Sequence, residues 1–542
     1  MLKTFLQELK KQKLHTAETR LVALSCVLVG FFLPDKKLAF FFLAAVPIPS
    51  VVLSAWLNFC SVGFNALRPS LHQGIPLGTM LPSLLCSSAV VFTSRHAAYQ
   101  DISKCLAFYL RPLVLIHLSN LFYTFCSKIP PPKSYVFFAG STLVGAFLAE
   151  RVFFDSPPWI LRWVYAINIA YFLWTALLYN TLTRCFTAGE LILLSTGLAL
   201  LSFDTILFTL VKTRVISPPA FFSLSRDDSF IVFQVTVMWL IITILTSTPL
   251  LLSIRGNETE RRRNSLTLCA YLGFSSIILL LWLSVLLRDG ITHWLFTDMP
   301  LKIFNNFWLL TFWALLVALS VAVVFWWQQR RNQFNVRTTV ARKLFHFLSA
   351  LVFASGIVCD FHLLRIASTV ALAVLTLAEV VRVFNVWPFG ASLHAYLSPF
   401  FDKQDQGVVV LTPIYLLLGL GLPVWLYPGS KYLKVASLLA QYAGVLSVGI
   451  GDAFASLIGS RYGRIKWPET MKTVEGTVAG CLSQIIALGI ILSIESRIGV
   501  THGLQVLQIV GAIIIGSALE TATFQIDNIV VPLVTFSLLI AV

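Results

Sequence analysis

Leu266-Thr-Leu-Cys-Ala-Tyr-Leu-Gly-Phe-Ser-Ser-Ile-Ile-Leu-Leu-Leu-Trp-Leu-Ser-Val-Leu-Leu287 is a run of 22 residues without a charge. At about 1.5 Å of helical rise per residue it crosses the roughly 30 Å of a bilayer's hydrocarbon core. Before it stands Arg255-Gly-Asn-Glu-Thr-Glu-Arg-Arg-Arg263, and such cation clusters mark the cytosolic ends of membrane helices. The same pattern, an apolar run closed by a short polar connector, recurs from Leu21 to Val542. In hydrocarbon every backbone polar group must find its partner within the chain, and runs of this length do so as helices. The expected fold is all-α: a polytopic integral membrane helical bundle of about 15–17 transmembrane helices.

Composition agrees. Of 542 residues, 57% are hydrophobic and 12% charged, against about 25% charged in soluble domains. Several water-facing domains are therefore excluded. The net charge of +16 is what cytosolic loops facing anionic lipid accumulate. The cations form no continuous stripe with interleaved aromatics, so a nucleic-acid partner is not indicated. The nine cysteines include no CxxC pair, which removes disulfide frameworks and zinc sites. Met1 to Arg20, with Leu2, Phe5, Leu6 and Leu9 at helical spacing, suits a short surface helix before a retained first anchor.

Polar content divides the chain by role: a multi-span region over 1–327 and a chemically richer one over 328–542. In the first, Glu150, Arg151, Glu190 and Asp204 lie in or near spans and read as helix-to-helix polar contacts. In the second, Arg342, Lys343 and His346 open a span. Glu379 and Arg382, three apart on one helical face, are spaced to pair. Asp402 and Asp405 stand three apart before a span and suit a divalent cation carrying phosphate. Asp452, in Gly449-Ile-Gly-Asp452, lies inside an apolar run, where a carboxylate is costly unless a cation or donor compensates it.

The segment 460–475 is the densest polar element, with Ser460, Arg461, Gly463, Arg464, Lys466, Trp467, Pro468, Lys472, Thr473 and Glu475. Cations, glycines and hydroxyls together hold polyphosphate. Glu520 and Gln525-Ile-Asp527-Asn528 bring further carboxylates. Counting spans from the basic loops places all these segments on the cytosolic side. Walker-type loops, GxGxxG turns, kinase catalytic loops, HExxH and GxSxG are all missing from the sequence.

Arg342-Lys-x-Phe-His346, Asp402-x-x-Asp405-x-Gly407, Ile414-Tyr-Leu-Leu-Leu-Gly419, Gly451-Asp452-x-x-Ala455-Ser456, Gly463-x-x-x-Trp467-Pro468-x-Thr470-x-Lys472-Thr473-x-Glu475-Gly476 and Gln525-Ile-Asp-Asn528 follow in that order. In order and spacing the string resembles the dolichol kinases of the endoplasmic reticulum membrane. More distantly it is similar to polyprenol and phytol kinases and to CTP-using lipid cytidylyltransferases.

The resemblance implies CTP-dependent phosphorylation of dolichol or another polyprenol, giving the lipid carrier for glycosylation. It implies a CTP-binding loop at 460–475, facing the cytosol. Phosphoryl transfer needs chiefly positioning and charge neutralisation. Asp452 with Asp402 or Asp405 is then expected to hold Mg²⁺, Lys472 to screen the transferred group, and Asp405 or Asp527 to take the alcohol proton. A lipid cytidylyltransferase is the nearest alternative and a polytopic transporter the alternative of another class. Clustering at one face disfavours the transporter, whose substrate sites lie near the midplane.

Overall fold

The computed structural model describes residues 17–33, 67–68, 74–94, 106–113, 116, 120, 158–219, 222, 226–254, 257–330, 338–397, 407–427, 437–468, 470–494 and 503–542. Among them there is no strand. Eight helices are long and apolar enough to cross a membrane, or nine if the bent pair Gly290–Asn305 and Phe307–Val323 forms one span. Lys343–Cys359, Thr412–Leu426 and Asp527–Ala541 are shorter apolar helices. The all-α polytopic bundle is thus observed. Two further apolar runs of the sequence, Leu38–Phe59 and Tyr135–Ala149, fall outside the described residues.

In chain order the helices are α1 (17–30), α2 (Ile75–Ser94), α3 (106–113), α4 (Pro158–Thr181), α5 (Ala188–Lys212), α6 (Asp228–Ser253), α7 (Glu258–Leu286), α8 (Gly290–Asn305) and α9 (Phe307–Arg330). There follow α10 (Thr338–Cys359), α11 (Phe361–Val383), α12 (Gly390–Leu397), α13 (Thr412–Leu426), α14 (Leu438–Tyr462), α15 (Val474–Ile494), α16 (Gly503–Ala522) and α17 (Asp527–Ala541).

They form two compact units, each discontinuous in sequence. The first gathers Met1–Phe203, Pro218–Ser223 and Ser430–Val542; the second gathers Asp204–Ser217 and Leu224–Gly429. Neither ends at residue 327, because these units follow packing whereas the division drawn from sequence was one of role.

In the first unit α17 packs between α2 and α16, and α14 lies along α15. The α14–α15 seam is closed by small residues. A Cβ on Gly476 would come within 2.6 Å of the Ala455 carbonyl, and one on Gly480 within 2.8 Å of the Gly451 carbonyl. Small side chains let two membrane helices bring their backbones together. Helix α14 is irregular where it matters: a π-helical turn, Val445–Gly451, immediately precedes Asp452, and such turns concentrate at functional positions.

In the second unit α6 packs against α7 and α11, and Phe233 stacks on Trp425 with centroids 4.8 Å apart. The outer face of α7 carries exposed Phe274, Ile277 and Leu281, as a lipid-facing helix should. The apolar stretch Phe304–Trp327 breaks at Asn306, whose amide bonds the Lys302 carbonyl at 2.9 Å and Asp360 Oδ2 at 3.0 Å. Phe296, Phe304 and Trp308 are exposed about this 75° bend, and exposed aromatics of this kind suit a membrane–water interface.

Buried Arg365 ties this unit together. It donates to the Val424 carbonyl at 3.0 Å, to the Tyr427 carbonyl and to Asp227 Oδ2 at 3.2 Å. His362 Nδ1 lies 2.9 Å from the same carboxylate. Burial pushes the Asp227 carboxyl up, but His362, Ser229 and Arg365 outweigh it and hold it at about 2. A lowered carboxyl stabilises the fold above its unfolded value near 4 and loses that contribution as pH falls through about 2. Asp227→Asn is therefore expected to cost about 1–3 kcal/mol. Thermal unfolding in detergent should show the deficit undiminished at about pH 5 and closing progressively as the pH falls from about 4 to about 2.

Candidate active site

The connection between α14 and α15 is a short hairpin. Lys466 and Thr473 form an isolated antiparallel bridge, Trp467 N–H donates to the Lys472 carbonyl at 3.0 Å, and Val474 N–H donates to the Ile465 carbonyl at 2.8 Å. Pro468, which has no N–H to lose, stands in the turn. Side chains then pin the hairpin to α15. The Trp467 indole donates to Thr477 Oγ1 at 2.9 Å, and Ile465 N–H donates to the Glu475 carboxylate at 3.1 Å. Thr473 Oγ1 accepts Gly476 N–H at 3.2 Å, an N-capping contact. Gly463 is a steric necessity, since a Cβ there would stand 2.3 Å from the Gly459 carbonyl.

Of the loop residues singled out in sequence, Gly463, Trp467, Thr473 and Glu475 thus shape the hairpin. Lys466 and Pro468 are exposed on it, and Ser460 and Arg461 are exposed in the last turn of α14 just before it.

The hairpin delivers Lys472 to the junction of α16 and α17. Its ammonium donates to the Glu520 backbone carbonyl and lies 3.2 Å from Asp527 Oδ2. Burial works to lower its pKa, but the carboxylates of Asp527, Glu520 and Asp452 outweigh that and raise it. The ammonium is consequently held charged. Lys472 and Asp527 keep 35% and 36% of their side chains exposed, so the pair is open to a water-borne ligand.

Folding has gathered Asp452, Lys472, Glu520 and Asp527, four residues singled out in sequence and far apart along it. Three carboxylates about one ammonium leave net negative charge. That fits Mg²⁺, a hard cation that takes one or two protein carboxylates and completes its shell with phosphate oxygens and water. Among the described residues no group of three or more His, Cys, Asp or Glu forms a ready-made metal cage.

Asp402 and Asp405 lie outside the described residues. Glu379 and Arg382 pair through two contacts, at 2.7 and 2.5 Å. They also hold the Val408 carbonyl and the Val410 N–H, and so fix the chain just beyond the Asp402–Gly407 segment. His346 is buried and Lys343 half-buried in α10, and the Arg342 side chain is outside the described set.

Sequence reading overlooked Arg68 and gave Glu190 no partner. They meet at 2.6 Å, both buried, beside the turn that carries Asp527. One signal was available: Thr187-Ala-Gly-Glu190 has the spacing of a capping box.

Fold and site define a class: a multi-pass helical membrane protein with an open lysine–carboxylate cluster drawn from α14, the hairpin after it and the junction of α16 and α17. The family model described as Dolichol kinase matches residues 163–417. The chain is 36% identical to Dolichol kinase of Bos taurus, over 69% of each chain. It is 36% identical to that of Homo sapiens, over 67% of each. With Dolichol kinase EVAN of Arabidopsis thaliana it shares 27%, over 87% of this chain and 88% of that one. No solved structure matches. The chain belongs to the dolichol kinase family.

Proposed function

We propose that this protein phosphorylates dolichol with CTP, and that the cluster around Lys472 is where the transfer takes place. The observation that carries this reading is the charged Lys472 ammonium set among Asp452, Glu520 and Asp527 at the foot of a basic, exposed hairpin. Lipid substrate and membrane-embedded chain belong together, since the polyisoprenoid tail is apolar and only its hydroxyl must reach the charged face. Supply of dolichyl phosphate as the lipid carrier for glycosylation, an endoplasmic reticulum location and a cytosol-facing nucleotide site complete the proposal. The same proposal assigns the chemistry chiefly to residues 328–542.

In this reading Arg461, exposed at the end of α14, and Lys466, exposed on the hairpin, bind the CTP phosphates, and Lys472 stabilises charge developing on the γ-phosphoryl group. The dolichol hydroxyl oxygen forms the new bond to the γ-phosphorus as the bond to the β-phosphate oxygen breaks and CDP leaves. A carboxylate takes the alcohol proton, with Asp527 the candidate at the Lys472 pair and Asp405 the candidate from the acidic segment. Asp452 would contribute to holding Mg²⁺, which when bound neutralises phosphate charge; Asp402 and Asp405 are the other carboxylates the sequence nominates for that cation. Asp452→Asn is expected to raise the Mg²⁺ concentration needed for half-maximal rate by about tenfold or more; full activity at unchanged Mg²⁺ demand would remove Asp452 from that role.

The reading is tested by incubating the purified protein in detergent with dolichol, Mg²⁺ and CTP, ATP, GTP or UTP in turn. Dolichyl phosphate formed from CTP alone supports it. Formation from ATP at an equal rate overturns the assignment of the donor.

A further inference from the structure

The turn before α17 is held in place by residues from the other end of the chain. Ile526 N–H donates to Glu190 Oε1 at 3.2 Å, immediately before Asp527. The same Glu190 oxygen receives the Arg68 guanidinium at 2.6 Å, and its Oε2 accepts Thr187 N–H at 3.0 Å. Thr187 completes a reciprocal capping box at the start of α5, its Oγ1 3.4 Å from Glu190 N, and it also donates to the Gln525 side chain. One residue earlier the turn is held again: Gln525 N–H meets Thr523 Oγ1 at 3.2 Å, and Thr523 donates to Glu18 of α1 at 2.8 Å.

The backbone has been shaped to admit these contacts. Gly74, at φ +65°, would place a Cβ 2.2 Å from the Gln525 side chain, and a Cβ on Gly78 would strike the Gly189 carbonyl at 2.1 Å. Any side chain at Gly74 or Gly78 would push apart the starts of α2 and α5 and the Gln525 turn. A buried carboxylate joined to a buried guanidinium is costly to assemble and is not needed merely to cap a helix. Here it fixes the backbone amide next to the carboxylate that faces Lys472.

We infer that Glu190, locked by Arg68, is a positioning residue for phosphoryl transfer: it sets the Ile526–Asp527 turn so that the Asp527 carboxylate meets Lys472. This gives the N-terminal part of the chain a share in the active site. The inference rests on the proposed role of the Lys472–Asp527 pair. Glu190 touches neither nucleotide nor lipid, so its loss should act through Asp527 and appear in kcat rather than in either KM.

The test combines a double-mutant cycle with amide exchange on the full chain in detergent. Glu190→Ala is expected to lower kcat on the order of 10- to 100-fold, the scale of a misplaced catalytic group. Added to Asp527→Asn it should cause little further loss, because its target has already gone. Thr196→Ala, buried on the same helix but bonded only to its own Ile192 carbonyl, should leave kcat unchanged.

Without any substrate, exchange at Ile526 N–H should accelerate in Glu190→Ala. This readout separates the inference from the activity itself: if the wild type forms no dolichyl phosphate, the functional reading fails while the exchange result still stands. Losses that multiply in the double variant, or an unchanged Ile526 exchange rate, would overturn the positioning role. Should Glu190→Ala not fold, Glu190→Gln enters the same two measurements. It keeps an acceptor for Ile526 but loses the charge facing Arg68, and a smaller shift in the same direction is expected.

Discussion

Replacing Lys472 with alanine will lower kcat/KM by about 10²–10³-fold, the usual cost of removing one preorganised charge from a developing oxyanion. The expectation follows from where the ammonium is held. One donor contact goes to the Glu520 carbonyl, another faces Asp527, and three neighbouring carboxylates keep it charged. Because its pKa is raised above the ordinary lysine value near 10.4, its contribution is fully present below that value and is lost only as pH rises through the higher folded one. Rate profiles between about pH 6 and 9 should therefore show no limb that disappears in Lys472→Ala. Lys466→Ala, on the exposed side of the hairpin, should mainly raise the KM for CTP. A Lys472→Ala enzyme with wild-type kcat/KM would remove this ammonium from the chemistry.

Gly463→Ala, the smallest of side-chain additions, is expected to reduce activity by about 10²-fold. The new methyl would stand 2.3 Å from the Gly459 carbonyl and 2.5 Å from Thr473 Cγ2. Neither neighbour has room to yield. The carbonyl belongs to the last turn of α14 and accepts Gly463 N–H at 3.1 Å, while Thr473 caps α15. Relief must come from moving the hairpin, and Lys472 moves with it. Overpacking of this kind costs about 1–3 kcal/mol, so unfolding in detergent should fall alongside activity. Gly489→Ala is the control on α15: nothing lies within 4 Å of its added methyl, and alanine is the better helix former by about 1 kcal/mol. Equal behaviour of the two variants would contradict the steric argument.

These cases show how far the sequence could be read. Apolar runs announced the membrane helices because a bilayer imposes a length and forbids unpaired backbone, and both constraints are written locally. The Glu379–Arg382 pair was legible for the same reason, being three residues apart on one helix. The cluster of Asp452, Lys472, Glu520 and Asp527 could be nominated by residue type. Its mutual geometry depends on a hairpin and two helix ends that no local pattern relates.

The roles of Gly463, Thr473 and Glu475 illustrate the limit. In sequence they look like phosphate-binding furniture, whereas their described contacts fold the hairpin that presents Lys472. Glu190 was legible as a polar contact between helices, but its partners were not: Arg68 stands 122 residues away, and the turn they meet lies a further 336 residues on. Only the capping-box spacing at Thr187 hinted that Glu190 had structural work at a helix start.

The most direct test of the central claim follows the phosphorus. Purified protein is incubated in detergent with dolichol, Mg²⁺ and CTP labelled at either the γ or the α position. Dolichol phosphorylation predicts that γ-label passes to the lipid while CDP is released, and that α-label stays with the nucleotide. Transfer of α-label to the lipid with release of pyrophosphate would instead identify a cytidylyltransferase and contradict the assignment made here.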